Sequence, residues 1–166
     1  DGKALVFTQL SPENRTNIAS LSVGAGGTIK PLLQAKWDEF DPQISKDGRW
    51  MAYVSGESGQ IDVYVRPFPD INSGKWQVST NGGLEPRWSP DGRELFYRNG
   101  EAMMAVSVET GSAFKPGVPK EIFRGRYLSW MGSAWDLSPD GKRFLMIKEV
   151  ESPGKTAAAE VPRKIN

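Results

Sequence analysis

Apolar residues in this chain fall into short runs rich in aromatic and β-branched side chains, each ended within a few positions by Gly, Pro, Asn, Asp or Ser. Runs of that length with those boundaries predict β-strands joined by tight turns. Four of them, residues 4–8, 50–55, 94–98 and 143–148, each follow a copy of one turn signature. The copies are Asp1-Gly2-Lys3, Ser45-Lys46-Asp47-Gly48-Arg49, Ser89-Pro90-Asp91-Gly92-Arg93 and Ser138-Pro139-Asp140-Gly141-Lys142. Their Asp-Gly pairs begin at positions 1, 47, 91 and 140, at intervals of 46, 44 and 49 residues. A four-stranded propeller blade repeats at about 40–45 residues, so the spacing predicts blades with slightly long loops. Helical repeats have comparable periods, but the β-rich run after each signature argues against them.

The signature has a mechanism. Pro presets φ at the second position of a turn, Asp bonds the backbone just ahead of it, and Gly accepts positive φ. Each copy is therefore a hairpin between two strands. The third repeat predicts strands at 84–89, 94–98, 102–108 and 120–123, and the second at 41–45, 50–55, 61–66 and 75–79. The first repeat shows three strands, 4–8, 17–23 and 30–34, and the last shows two, 134–138 and 143–150. The expected organisation of 1–150 is a partial blade over 1–36, whole blades over 37–80 and 81–126, and a partial blade over 127–150. Residues 151–166 form a tail or a closing strand.

Composition narrows the chemistry. The 166 residues include 21 Lys plus Arg against 20 Asp plus Glu, a formal charge of +1 that gives no electrostatic case for nucleic acid. There is no His and no Cys, which excludes disulfides, Cys/His zinc sites and any His-based nucleophilic triad within the chain. No apolar run approaches the roughly 20 residues of a membrane span, so membrane insertion is not expected. Six Trp and seven Phe supply bulky core material.

The runs 41–53, 85–97 and 137–144, each built on the signature, resemble the TolB-type, WD-like β-propeller repeat of bacteria. The segment Ile61-Asp62-Val63-Tyr64-Val65-Arg66-Pro67-Phe68-Pro69 is similar to a third strand common in propellers fused behind bacterial serine/threonine kinase domains. Lys46 stands where the repeat usually has Pro. The resemblance implies an all-β propeller of about six blades, of which this chain supplies fewer than four. It also implies an extracytoplasmic, periplasmic setting. It does not choose between interaction module, sensor domain and lid on a serine peptidase.

Local motifs add little catalysis. Ser55-Gly56-Glu57-Ser58-Gly59 lacks the last Gly of a nucleophile elbow, because Gln60 stands there, and reads as a hairpin loop. Gly24-Ala25-Gly26-Gly27 precedes no helix start and reads as a turn rather than a phosphate loop. Asp70-Ile71-Asn72-Ser73-Gly74 lacks the third oxygen ligand and the Glu of a calcium loop, so no metal or cofactor is expected. Asn14-Arg15-Thr16 has the form of a glycosylation sequon and reads as an exposed turn.

Asp38, Glu39, Asp41 and Glu85 lead into or lie on innermost strands, where they would face a central channel as solvated acids or partners of Arg87. Trp50, Phe96 and Phe144 read as packing between blades, while Trp37, Trp130 and Trp135 sit just before innermost strands, where loops gather. The candidate ligand-binding residues are Trp37, Asp38, Glu39, Glu85, Arg87, Trp130 and Trp135. The expected function is a non-catalytic module recognising a protein, a peptide or a small ligand. The alternatives are a fragment of a propeller-bearing hydrolase and a carbohydrate-active propeller using the channel acids. Open blade faces also predict association, either a homodimer completing a ring or upstream blades of a longer chain.

Overall fold

A computed structural model describes residues 2–13, 15–24, 26–111, 113–128 and 133–148. Asn14 of the sequon, Trp130 and the 151–166 tail lie outside the described residues. Those described are all-β, with fourteen strands and no helix. The first blade is β1 (Ala4–Leu10), β2 (Thr16–Ser22) and β3 (Ile29–Leu33), paired antiparallel in that order. The second is β4 (Glu39–Ile44), β5 (Trp50–Ser55), β6 (Asp62–Pro67) and β7 (Trp76–Gln77), again in chain order. The third is β8 (Leu84–Trp88), β9 (Glu94–Asn99) and β10 (Ala102–Thr110), with β11 (Phe114–Pro116) and β12 (Lys120–Arg124) both paired to β10. β13 (Trp135–Leu137) and β14 (Phe144–Met146) form a two-stranded hairpin.

The signatures at 45–49, 89–93 and 138–142 are the hairpins between the first two strands of their sheets, and all three carry one bonding pattern. The Ser45, Ser89 and Ser138 hydroxyls donate to Asp47, Asp91 and Asp140. The same hydroxyls accept the backbone N–H groups of Trp50, Glu94 and Arg143. Each Asp also accepts the N–H two residues on. Gly2, Gly48, Gly92 and Gly141 have φ between 66° and 74°, the left-handed region that only glycine enters freely. Lys46 in place of Pro leaves the second turn intact, because the Ser-Asp-Gly bonds hold it.

Period-two alternation then sends neighbouring residues to opposite blade faces. On β5, Met51 and Tyr53 pack with Ile18, Leu33, Tyr64 and Ile71 against the first blade. Trp50 and Ala52 pack the other way, with Leu95, Tyr97, Val106 and Phe114 of the third blade. Phe96 in turn meets Met103, Trp135 and Phe144. The core is thus three layers between successive blades, and Trp50, Phe96 and Phe144 do lie in them.

Candidate functional site

The innermost strands β4, β8 and β13 bring equivalent residues to one place. Gln43, Arg87 and Asp136 each stand two positions before a signature serine, and all three line an open groove of about 460 Å³. Ser133, Ala134 and Trp135 form its floor on the β13 side, and Leu145 and Ile147, 71% and 51% exposed, form an apolar wall. Trp88 fixes the spacing of β4 and β8, its indole N–H donating to the Gln43 carbonyl at 3.0 Å.

A register shift kinks β4 between Phe40 and Gln43, and an equivalent one kinks β8 between Leu84 and Arg87. At these bulges Asp41 and Glu85 adopt φ of 52° and 54°, although each is followed by Pro. A non-glycine residue in that region is strained by about 1–3 kcal/mol, and such strain gathers where bulges re-aim a strand. Contacts hold both residues there. The Asp41 N–H donates to Thr8 Oγ1 at 3.0 Å, and its Oδ1 lies 3.8 Å from Arg87 Nη1, both side chains being nearly buried. Glu85 Oε2 accepts the Ala134 N–H at 3.4 Å, tying the third blade to the loop before β13.

Burial pushes the Asp41 carboxyl up from its ordinary value; Arg87 opposes the rise and Glu85 adds to it. Arg87 also donates to the Pro86 carbonyl at 3.0 Å, which orients its guanidinium on the strand. Trp135 is 3% exposed, and its buried indole N–H has no acceptor among the described residues. The groove therefore offers a cation, an anion, an amide and an apolar wall, a set suited to recognition.

Of the sequence candidates, Arg87 and Trp135 line this groove and Glu85 braces it. Trp37, Asp38 and Glu39 do not line it; Trp37 and Asp38 lie in the connection from β3 and Glu39 opens β4, at the end away from Gln43. Asp38 Oδ1 accepts the Thr16 N–H and hydroxyl at 2.8 and 3.0 Å, and the Lys36 ammonium lies 4.5 Å from the Trp37 ring centre. Glu39 is 3% exposed and accepts the Ala35 N–H; burial raises its carboxyl, partly countered by that bond. The Asp38 bonds tie the connection into the second blade to β2 of the first, while the Trp37 and Glu39 contacts are local. Trp130 falls outside the described residues.

Gln43 and Asp136 were not singled out in the sequence, although their shared offset from the signature serine would have found them. Also missed was Asp62, fully buried on β6. It accepts the Ser58 and Ser79 hydroxyls, the Gln77 amide and the Gly82 N–H at 2.8–3.1 Å, joining the second blade to the loop entering the third. Among the described residues no three Asp or Glu gather as a metal site, and the Asp70–Gly74 segment closes as a turn through Ser73.

No family model matches the chain. A curated protein of Bacillus subtilis (strain 168), named "Uncharacterized peptidase YuxL", is 30% identical over 118 residues, covering 64% of this chain and 16% of that protein. A TolB of Acinetobacter baumannii superposes with a TM-score of 0.61 at 18% identity, over 93% of this chain and 36% of its own. A TolB of Agrobacterium tumefaciens gives 0.57 at 18% identity, over 74% and 46% respectively. A Bacteroides fragilis protein described as a 6-phosphogluconolactonase gives 0.54 at 12%, over 86% and 47%. The chain spans less than half the length of each of these proteins. With its signature hairpins, chain-order antiparallel sheets and face-to-face packing, the chain has the fold of a run of TolB-like β-propeller blades.

Proposed function

We propose that this chain is a non-catalytic binding module that takes an extended segment of a partner protein into the groove between β4, β8 and β13. The observation that carries this is the convergence of Gln43, Arg87 and Asp136, equivalent positions of three successive innermost strands, beside the exposed Leu145 and Ile147. Evenly stepped polar groups beside an apolar wall match a peptide, whose backbone groups recur along its length and whose side chains need apolar cover. A heptapeptide selected from a random displayed library is the probe, titrated into the ¹⁵N-labelled chain. The expected result is shifts concentrated on Gln43, Arg87, Ala134 and Asp136, with no cleavage of the peptide. Shifts confined to other loops, or turnover of the peptide, would overturn the proposal.

The likeness to the protein named a peptidase favours a second reading, a propeller segment that shields the active site of a longer hydrolase. A Ser-Asp-His domain encoded in the same gene would favour it. An extracytoplasmic location belongs to the main reading and is supported by the TolB-like fold alone.

Assembly is also part of the proposal. Leu5, Leu10, Val23 and Ile29 of the first blade are 52–65% exposed, and apolar surface on this scale calls for cover. The chain spans 36% and 46% of the two TolB structures, so either a second copy or further blades of a longer chain would cover that surface. Light scattering over a dilution series should give a mass near twice 18.3 kDa. A single-chain mass throughout would remove the homodimer.

A further inference from the structure

Asp136 and Leu145 stand directly opposite one another across the β13–β14 hairpin. The pairs on either side of them, Trp135 with Met146 and Leu137 with Phe144, point into the layer shared with the third blade. Period-two alternation therefore turns Asp136 and Leu145 to the other face, and Ile147 with them. All three line the open groove of about 460 Å³, and the two aliphatic side chains are largely exposed. Cross-strand partners have Cβ atoms roughly 5 Å apart, so an anion and an apolar surface lie within reach of one long side chain.

The two charges that line this groove are met differently. Arg87 already has a counter-charge, Asp41 Oδ1 at 3.8 Å, and its Nη1 also donates to the Pro86 carbonyl. Asp136 is exposed, and Oδ1 accepts the Leu137 N–H at 2.8 Å. It takes part in none of the ion pairs among the described residues. A segment that enters the groove thus meets a carboxylate that still lacks a cation, beside an apolar wall that still lacks cover.

Resting on the reading of this groove as a peptide site, we propose that Asp136 selects the bound segment by taking the head of a Lys or Arg side chain, whose aliphatic stem lies along Leu145 and Ile147. Such side chains bury their methylenes on apolar surface while the charged head stays at the water boundary. An acidic side chain in the same place would meet a like charge. A purely apolar one would cover Leu145 and Ile147 but strip water from Asp136 without replacing it. The pair of features therefore discriminates a basic residue from both, by attraction in one case and by penalty in the others.

The test screens a random displayed heptapeptide library against the wild-type chain and against Asp136→Lys, each with its fold verified by circular dichroism. The expected wild-type pool is enriched in Lys or Arg at one position, the commoner of the two naming the head group. The Asp136→Lys pool should be enriched in Asp or Glu there instead, an inversion that a merely structural role for Asp136 would not produce. A wild-type-selected peptide, and its copy with that residue replaced by norleucine, are then titrated into the ¹⁵N-labelled wild type and Asp136→Asn. The replacement should weaken binding to the wild type by at least about fivefold and to Asp136→Asn by less than about twofold. Peptides without an enriched basic residue that still shift Gln43 and Arg87, or equal losses in the two proteins, would overturn the selectivity and leave the peptide site standing. The lack of any peptide that shifts these residues would remove both. Shifts at Asp136 and Leu145 that grow with chain concentration alone would assign the face to a second copy and overturn the proposal as well.

Discussion

Asp41 concentrates three costs in one residue: positive φ before a proline, a nearly buried carboxylate and a neighbouring acid in Glu85. Its proton equilibrium records the second and third. Because its folded value is raised above the ordinary 3.8, its contribution to stability is fully present below that value and is lost as pH rises through the raised one. Asn at this position cannot ionise and tolerates the left-handed region better than most residues. The stability of Asp41→Asn relative to the wild type is therefore expected to increase from about pH 4 to about pH 7, by about 1.4 kcal/mol for each tenfold change in proton affinity. Urea unfolding of both proteins across that range measures it, and a difference that is flat or shrinks with pH contradicts the assignment. The sequence offers the acid as a solvated channel group or a partner of Arg87, and the structure sets it nearly buried beside Arg87. Its conformation was not legible, because a following Pro argues for extended backbone and only the bulge against β5 imposes the alternative.

Among the elements, the outer edge of the third blade departs most from a simple four-stranded pattern. β10 is long enough to pair with two short strands, β11 near its end and β12 near its start. β11 exists because Phe114 is an anchor, 2% exposed, with ring centres 5.4 Å from Trp50, 5.6 Å from Trp76 and 6.3 Å from Trp88. Removing that ring should cost about 3–5 kcal/mol, since the three surrounding indoles cannot collapse into the space. Phe114→Ala is expected to lower the denaturant midpoint accordingly, while Lys115→Ala next to it, an exposed side chain, should change it little. Equal losses from the two would mean that the strand, not the ring, carries the stability. The sequence could not announce β11, because Phe114-Lys115-Pro116 is three residues long and contains a proline. The innermost and second strands were legible for the opposite reason. Each flanks a turn whose Ser, Asp and Gly are chemically required, so the signature fixes both strand ends at once.

For the molecule as a whole, repetition does most of the specifying. Identical hairpins at near-constant spacing set equivalent strands side by side, and alternation along them fills one layer between each pair of blades. That is why the blades could be read from residue order alone, while the candidate site divided. Loop residues sit where strands begin, and there Asp38 is taken up by bonds from Thr16 of the first blade and Trp37 by its neighbour Lys36. Arg87 lies inside an innermost strand and was placed by the repeat itself. The groove residues Gln43 and Asp136 carry no chemical signature of their own and gain meaning only from sharing Arg87's position in successive blades.

The central claim is that this shared position recognises a peptide segment. Calorimetric titration of the selected heptapeptide into the wild type, Arg87→Gln and Asp136→Ala, each with its fold verified by circular dichroism, addresses it most directly. The account predicts that each substitution weakens binding at least tenfold, about 1.4 kcal/mol or more. Undiminished affinity in both variants would contradict it.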